Sequence, residues 1–223
     1  MKTWLNNKHK HAVLLFLTSL LLAACGGGSG SSNNPPENPG GPPGGGSAPV
    51  PVITSPVEST LFRAGESLDF AGSADDAEDG ALPASRLVWW VDLHHDTHTH
   101  PLQLETTGAQ GQVTIPTRGE VSDNIWYRFH LRATDSSGRT AETSRDVMPR
   151  KSKFTLSTVP TGLRLTLDDQ PLTAPLTVTG VVGTERDLGA AAQNFNGRRY
   201  VFDRWSHGAP ASNTISTPET DTT

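Results

Sequence analysis

An all-β chain is what the sequence predicts: an immunoglobulin-like β-sandwich, then a small second β domain, both behind a signal peptide and a disordered linker. Three observations carry that expectation. Short runs alternate apolar and polar side chains with a period of two, Gly, Pro and Asp punctuate them, and no stretch keeps a helical period. Roughly seven short strands over residues 50–149 suit a two-sheet sandwich.

The strands expected in that region are Val52–Thr54, Ser67–Ala74, Leu87–His95, Gln112–Ile115, Trp126–Thr134 and Thr140–Asp146. Two of them fix the faces. In the run beginning at Leu87, Leu87, Trp89, Val91 and Leu93 alternate with Val88, Trp90, Asp92 and His94, and the first set is the apolar one. In the run beginning at Trp126, Tyr127, Phe129, Leu131 and Ala133 alternate with Trp126, Arg128, His130 and Arg132. Trp89 packed on Phe129 and Leu131 would anchor the core, with no disulfide to help it. Residues 150–223 repeat the period at Phe154–Thr158, Leu163–Leu167, Leu176–Gly180 and Tyr200–Trp205, with turns at Pro160–Gly162 and Asp168–Pro171.

The N-terminus reads as an address. Lysines in Met1–His11, an apolar run from Ala12 to Leu22 and small residues at Ala23-Ala24 make a secretory signal over residues 1–24. That apolar run is shorter than the ~20 residues a membrane span needs. Leu22-Ala23-Ala24-Cys25 resembles a bacterial lipobox, which implies acylation of Cys25, and several acyl chains hold a protein firmly to a membrane. In such lipoproteins an aspartate after the cysteine retains the protein on the inner membrane. Gly26 stands there instead, so the resemblance implies the outer membrane of a Gram-negative envelope. Residues 25–49 then form the linker. Their Gly, Pro, Ser and Asn cannot repay the entropy of ordering, so disorder is expected. A coil of that length reaches about 27 Å.

Cys25 is the single cysteine, which excludes an intramolecular disulfide. Removing Lys2, Lys8 and Lys10 with the signal moves the net charge from −5 to −8. Residues 50–150 hold 15 acids against 8 arginines, and residues 151–223 balance at 7 and 7. An acidic chain without a basic stripe argues against a nucleic-acid partner and favours cations.

Several phrases resemble known modules. Gly65–Gly80, Leu87-Val88-Trp89, Leu131–Asp135 and Gly138 resemble a PKD-like domain. With the histidine-rich stretch His94–Pro101, they look like the PKD-like module attached to bacterial secreted glucose/sorbosone dehydrogenase-type proteins that use pyrroloquinoline quinone. Pro160–Asp168 and Phe202–Gly208 resemble phrases of a PEGA-type β module. The resemblance covers only the accessory part of that family, whose chemistry resides in a propeller that nothing here matches. Relatives continue past a phrase like Ile215–Pro218 into one more aromatic strand, which implies an unpaired edge and a truncated product.

Three groups of residues bear on chemistry. If the strand from Leu87 ran on through the histidines, His94, Asp96, His98 and His100 would share one face, with His130 on the strand beside it. Imidazoles with a carboxylate suit zinc, copper or nickel, but a histidine–aspartate network or a solvated loop ended by Pro101 fits the same residues. Asp75, Asp76, Glu78 and Asp79, joined by Asp135, offer oxygens for calcium, or simply an Asp/Gly turn bonded to its own backbone. Trp90 and Trp126, beside Arg128, face outward as a surface for sugar rings or a protein, unless a loop or the second domain covers them. There is no nucleophile elbow, phosphate-binding glycine loop or zincin helix motif. The expected protein is therefore not an enzyme. It is a membrane-anchored binding or spacer module whose partner is a carbohydrate, a cell-wall component or a protein. A truncated accessory part of a quinone-dependent sugar dehydrogenase and a periplasmic transition-metal-binding protein are the alternatives.

Overall fold

The computed structural model describes residues 46–223, most of them in β-strands and the turns between them. The signal, the lipobox cysteine Cys25 and the linker as far as residue 45 lie outside the described residues. Nine strands build the first module: β1 (Val50–Ser55), β2 (Leu61–Phe62), β3 (Ser67–Asp76), β4 (Gly80–Ala81), β5 (Leu87–His95), β6 (His98–Thr107), β7 (Gln110–Thr114), β8 (Ile125–Thr134) and β9 (Thr140–Pro149). Strand β3 pairs with β1, β4 and β7 to give one sheet, and the other runs in the order β2-β9-β8-β5-β6. The two sheets form a β-sandwich, as expected.

Parity decides the core. Leu87, Trp89 and Val91 of β5 and Tyr127, Phe129, Leu131 and Ala133 of β8 are all buried, and Trp89↔Leu131 and Val91↔Phe129 are directly paired. Trp89 is wholly buried, its ring centroid 4.9 Å from that of Phe70 in the opposite sheet, and its indole N–H donates to the Gly108 carbonyl at 3.0 Å. Burial of so large a ring with its one polar atom satisfied is the main hydrophobic anchor.

The second module contains β10 (Lys151–Leu156), β11 (Arg164–Leu167), β12 (Gln170–Thr173), β13 (Leu176–Val181), β14 (Glu185–Gly189), β15 (Gln193–Phe195), β16 (Arg198–Tyr200) and β17 (Ser212–Ser216). Strands β10 and β13 pair, a four-stranded sheet runs β12-β11-β14-β17, and β15 with β16 makes a hairpin. Phe154, Leu156, Leu165, Leu167, Ala174 and Leu188 form its core. The expected strand Tyr200–Trp205 is absent. Only Tyr200 ends a strand, and beyond it Trp205 folds into a loop, its ring tilted against Phe202 (centroids 5.8 Å apart) and its indole N–H donating to the Pro210 carbonyl. Strand β17 pairs with β14 over Glu185–Gly189 and is the outermost strand of that sheet.

The modules share packing. Val181, at the end of β13, belongs to the sandwich's own core. Backbone bonds cross the join from Ala64 N–H to Val182, Arg150 N–H to Phe62 and Glu185 N–H to Thr117. Gly183 (φ +84°) sits so close to Ala64 that a Cβ there would fall 2.4 Å from its carbonyl oxygen. The linker also ends earlier than expected. Ser47 bonds the Glu78 carboxylate through both its N–H and its hydroxyl, and Pro49 is buried.

Candidate metal centre

The strand expected over Leu87–His95 has those bounds, and the histidine-rich stretch beyond it is a hairpin tip, not the strand continuation on which the predicted grouping depended. Strand β5 stops at His95, Asp96 and Thr97 make the turn, and β6 returns from His98. Asp96 has φ +47°, the left-handed region that aspartate tolerates better than most residues. The reversal undoes the predicted grouping of His94, Asp96, His98, His100 and His130. His95 now lies opposite His98, and Leu93 opposite His100, so His95, His98 and His100 share the face that continues the sandwich core. His94 and His130 point to the other side.

At the tip, one ligand atom from each of His95, His98 and His100 lies within 4.8 Å of the others. The His95 and His100 Nε2 atoms are 3.2 Å apart, and the His95 and His98 ring centroids 3.8 Å. Glu120, on the loop between β7 and β8, brings an oxygen to 3.5 Å from His95 Nε2, while its other oxygen accepts the Ser122 N–H. His95 is largely buried, and His98 and His100 are exposed. Asp96 stands behind the cluster: one oxygen accepts from the Asn124 amide at 3.0 Å, and the other is 3.9 Å from His95 Nδ1. His100 and Glu120 also line the mouth of a cleft of about 200 Å³ floored by Phe62, Leu93, Tyr127 and Val181. Burial raises the Tyr127 hydroxyl's pKa to about 12, so that floor stays uncharged.

The outward face of β5 and β8 carries a second group. Trp90 pairs with His130 (rings 4.5 Å apart, nearly parallel), Asp92 with Arg128, and His94 with Trp126 (5.1 Å). The Arg132 guanidinium also lies over Trp90, 5.4 Å from its centroid. Arg128 is committed to Asp146 through two hydrogen bonds at 2.6 and 2.8 Å, which hold the Asp146 carboxyl below its usual range. Burial lowers the His130 pKa, with Asp92 opposing, so the neutral imidazole is favoured. Trp90 and Trp126 face outward as read from the sequence, but their rings stack on neighbours of their own sheet and Arg128 is taken.

The acidic turn does not assemble the calcium set. Asp76 accepts the N–H groups of Glu78 and Asp79, Asp79 accepts the Ser136 N–H and hydroxyl, and Asp135 accepts the Ser137 and Arg139 N–H groups and the Arg139 guanidinium at 2.6 Å. Glu78 is bonded to Ser47, and Asp75 is exposed on β3. Among the described residues, two groups bring three His, Cys, Asp or Glu ligand atoms together, and neither includes Asp75, Asp76, Glu78, Asp79 or Asp135. The carboxylates close a turn because backbone N–H groups and Arg139 reach them first.

His95, Asp92 and Glu120 are the participants that reading the sequence missed. The signal for His95 was Asp96-Thr97, a short polar pair between two alternating runs, which as a turn sets His95 against His98. Glu120 had no local signal, since it arrives from a loop remote in sequence. Comparison of the chain with protein-family models, with curated proteins and with solved structures gives no match.

Proposed function

We propose that the protein is a non-catalytic metal-binding module, tethered to the outer membrane through an acylated Cys25. The single observation that carries this reading is the convergence of His95, His98 and His100 at the hairpin tip, with Glu120 beside them. Three imidazoles and a carboxylate suit a tetrahedral zinc ion, with copper and nickel as competitors. Two of the imidazoles are exposed, so an ion enters without opening the fold. The acidic sandwich draws cations toward it. The resemblance to accessory modules fits a part that presents its ligand beside other envelope proteins and performs no turnover of its own.

Zinc titration of the full-length protein in detergent, followed by calorimetry, tests the proposal. His95→Ala with His98→Ala is expected to remove one equivalent of zinc and leave the unfolding midpoint of the metal-free protein nearly unchanged. Zinc binding of the same stoichiometry and affinity in that double variant would overturn it.

A further inference from the structure

The outward face of the sandwich holds a second donor set that the tip does not explain. Strand parity sends His94 and His95 to opposite sides of the sheet, so Asp92 and His94 on β5 and His130 on β8 make a group of their own. One ligand atom from each lies within 4.8 Å of the others. An Asp92 oxygen is 3.3 Å from His130 Nε2, yet out of line for a hydrogen bond, and the Nε2 atoms of both His94 and His130 are buried with no hydrogen-bond partner. A buried ring nitrogen without a partner is costly in a folded protein and calls for an explanation. Two such nitrogens beside one carboxylate call for the same one.

We infer that Asp92, His94 and His130 form a second, separate site for one divalent transition-metal ion. The surroundings are built for it. Trp90 stacks on His130 and Trp126 on His94, which fixes both imidazole planes. Arg128, directly opposite Asp92, is the obvious rival for that carboxylate, but its two hydrogen bonds go to Asp146. Asp92 is therefore left to face the imidazoles. Two imidazoles and a carboxylate are borderline donors that select zinc, copper, nickel or iron over calcium or magnesium. Three protein ligands leave a position open to water or an outside ligand. The stacked indoles also make the site self-reporting, because a copper(II) ion held by His94 and His130 quenches the tryptophans against them.

The probe is copper(II), added to the full-length protein in detergent while tryptophan emission is followed. The background is the His95→Ala, His98→Ala variant, so the result does not depend on the tip. Saturable quenching is expected to persist there and to be reversed by excess EDTA, which strips the copper. His130→Gln and His94→Gln, made separately on that background, are each expected to weaken the copper affinity at least tenfold and lose most of the quenching. Near-ultraviolet circular dichroism checks that each variant stays folded, and Asp92→Asn provides a third version should one of them not fold. Copper affinity and quenching unchanged in the folded variants would overturn the inference. So would the absence of saturable quenching once the tip is removed. Absence of zinc binding at the tip of the parent protein would count against the proposed function and leave this second site standing.

Discussion

Trp89 and Trp90 are the same side chain one position apart, and only strand parity separates their roles. Trp89 sits between the sheets with no exposed surface and its N–H bonded to Gly108, whereas Trp90 stands half-buried on the outer face between His130 and Arg132. Replacing Trp89 with alanine leaves a cavity that the two sheets cannot close, at ~3–5 kcal/mol. Trp90→Ala forfeits stacking of ~0.5–1.5 kcal/mol and part of a half-exposed surface. Urea denaturation is expected to show a far larger drop in midpoint for Trp89→Ala. Equal drops would mean that the inward face had been misassigned. This much was legible from the sequence, because two alternating strands with an apolar set each leave one consistent way to pack. The tryptophans' lateral partners were not legible. Which neighbour a ring stacks on depends on register, and register is set by pairing between strands distant in sequence.

For whole elements, the lesson lies in the hairpin of β5 and β6. One reading of the histidine stretch is a polar loop closed by Pro101, because proline cannot donate to a ladder. Yet Pro101 lies within β6, an edge strand, where the missing donor costs little. Once the chain turns at Asp96, the histidines fall into two groups on opposite faces, so a single error of topology changed the membership of the metal site. A similar cue stands at Asn196-Gly197, both at positive φ, which joins β15 to β16, a strand that ends at Tyr200, where the expected one begins. The tip's dependence on its turn is testable. Valine at position 96 must adopt a left-handed conformation at ~1–2 kcal/mol, and it also loses the Asn124 contact. Asp96→Val is expected to weaken zinc binding at the tip at least tenfold, while Asp96→Asn, which tolerates that conformation, stays within a few-fold of the parent. Identical affinities in the two variants would show that the turn does not organise the imidazoles.

Across residues 46–223, the two β modules behave as one packed body. A boundary after Pro149 was a reasonable inference from the change of phrasing along the chain, but packing does not respect it. Val181 completes the sandwich core, and Arg118 of the first module reaches Glu185 at 2.6 Å in the second. Gly183 is the most constrained position in this join. Its φ of +84° is one that side chains rarely adopt, and any Cβ would collide with the Ala64 carbonyl, a backbone atom that cannot swing aside. Gly183→Val therefore has to push the modules apart or distort β13 and β14, at a cost of at least ~1–3 kcal/mol. The parent is expected to unfold in a single calorimetric transition whose van't Hoff and calorimetric enthalpies agree, the mark of one cooperative unit. In Gly183→Val the ratio should depart from unity as the second module, with its smaller core, melts first. A single, equally cooperative transition at an unchanged temperature in the variant would mean that the join is mere contact, and that each module stands on its own core.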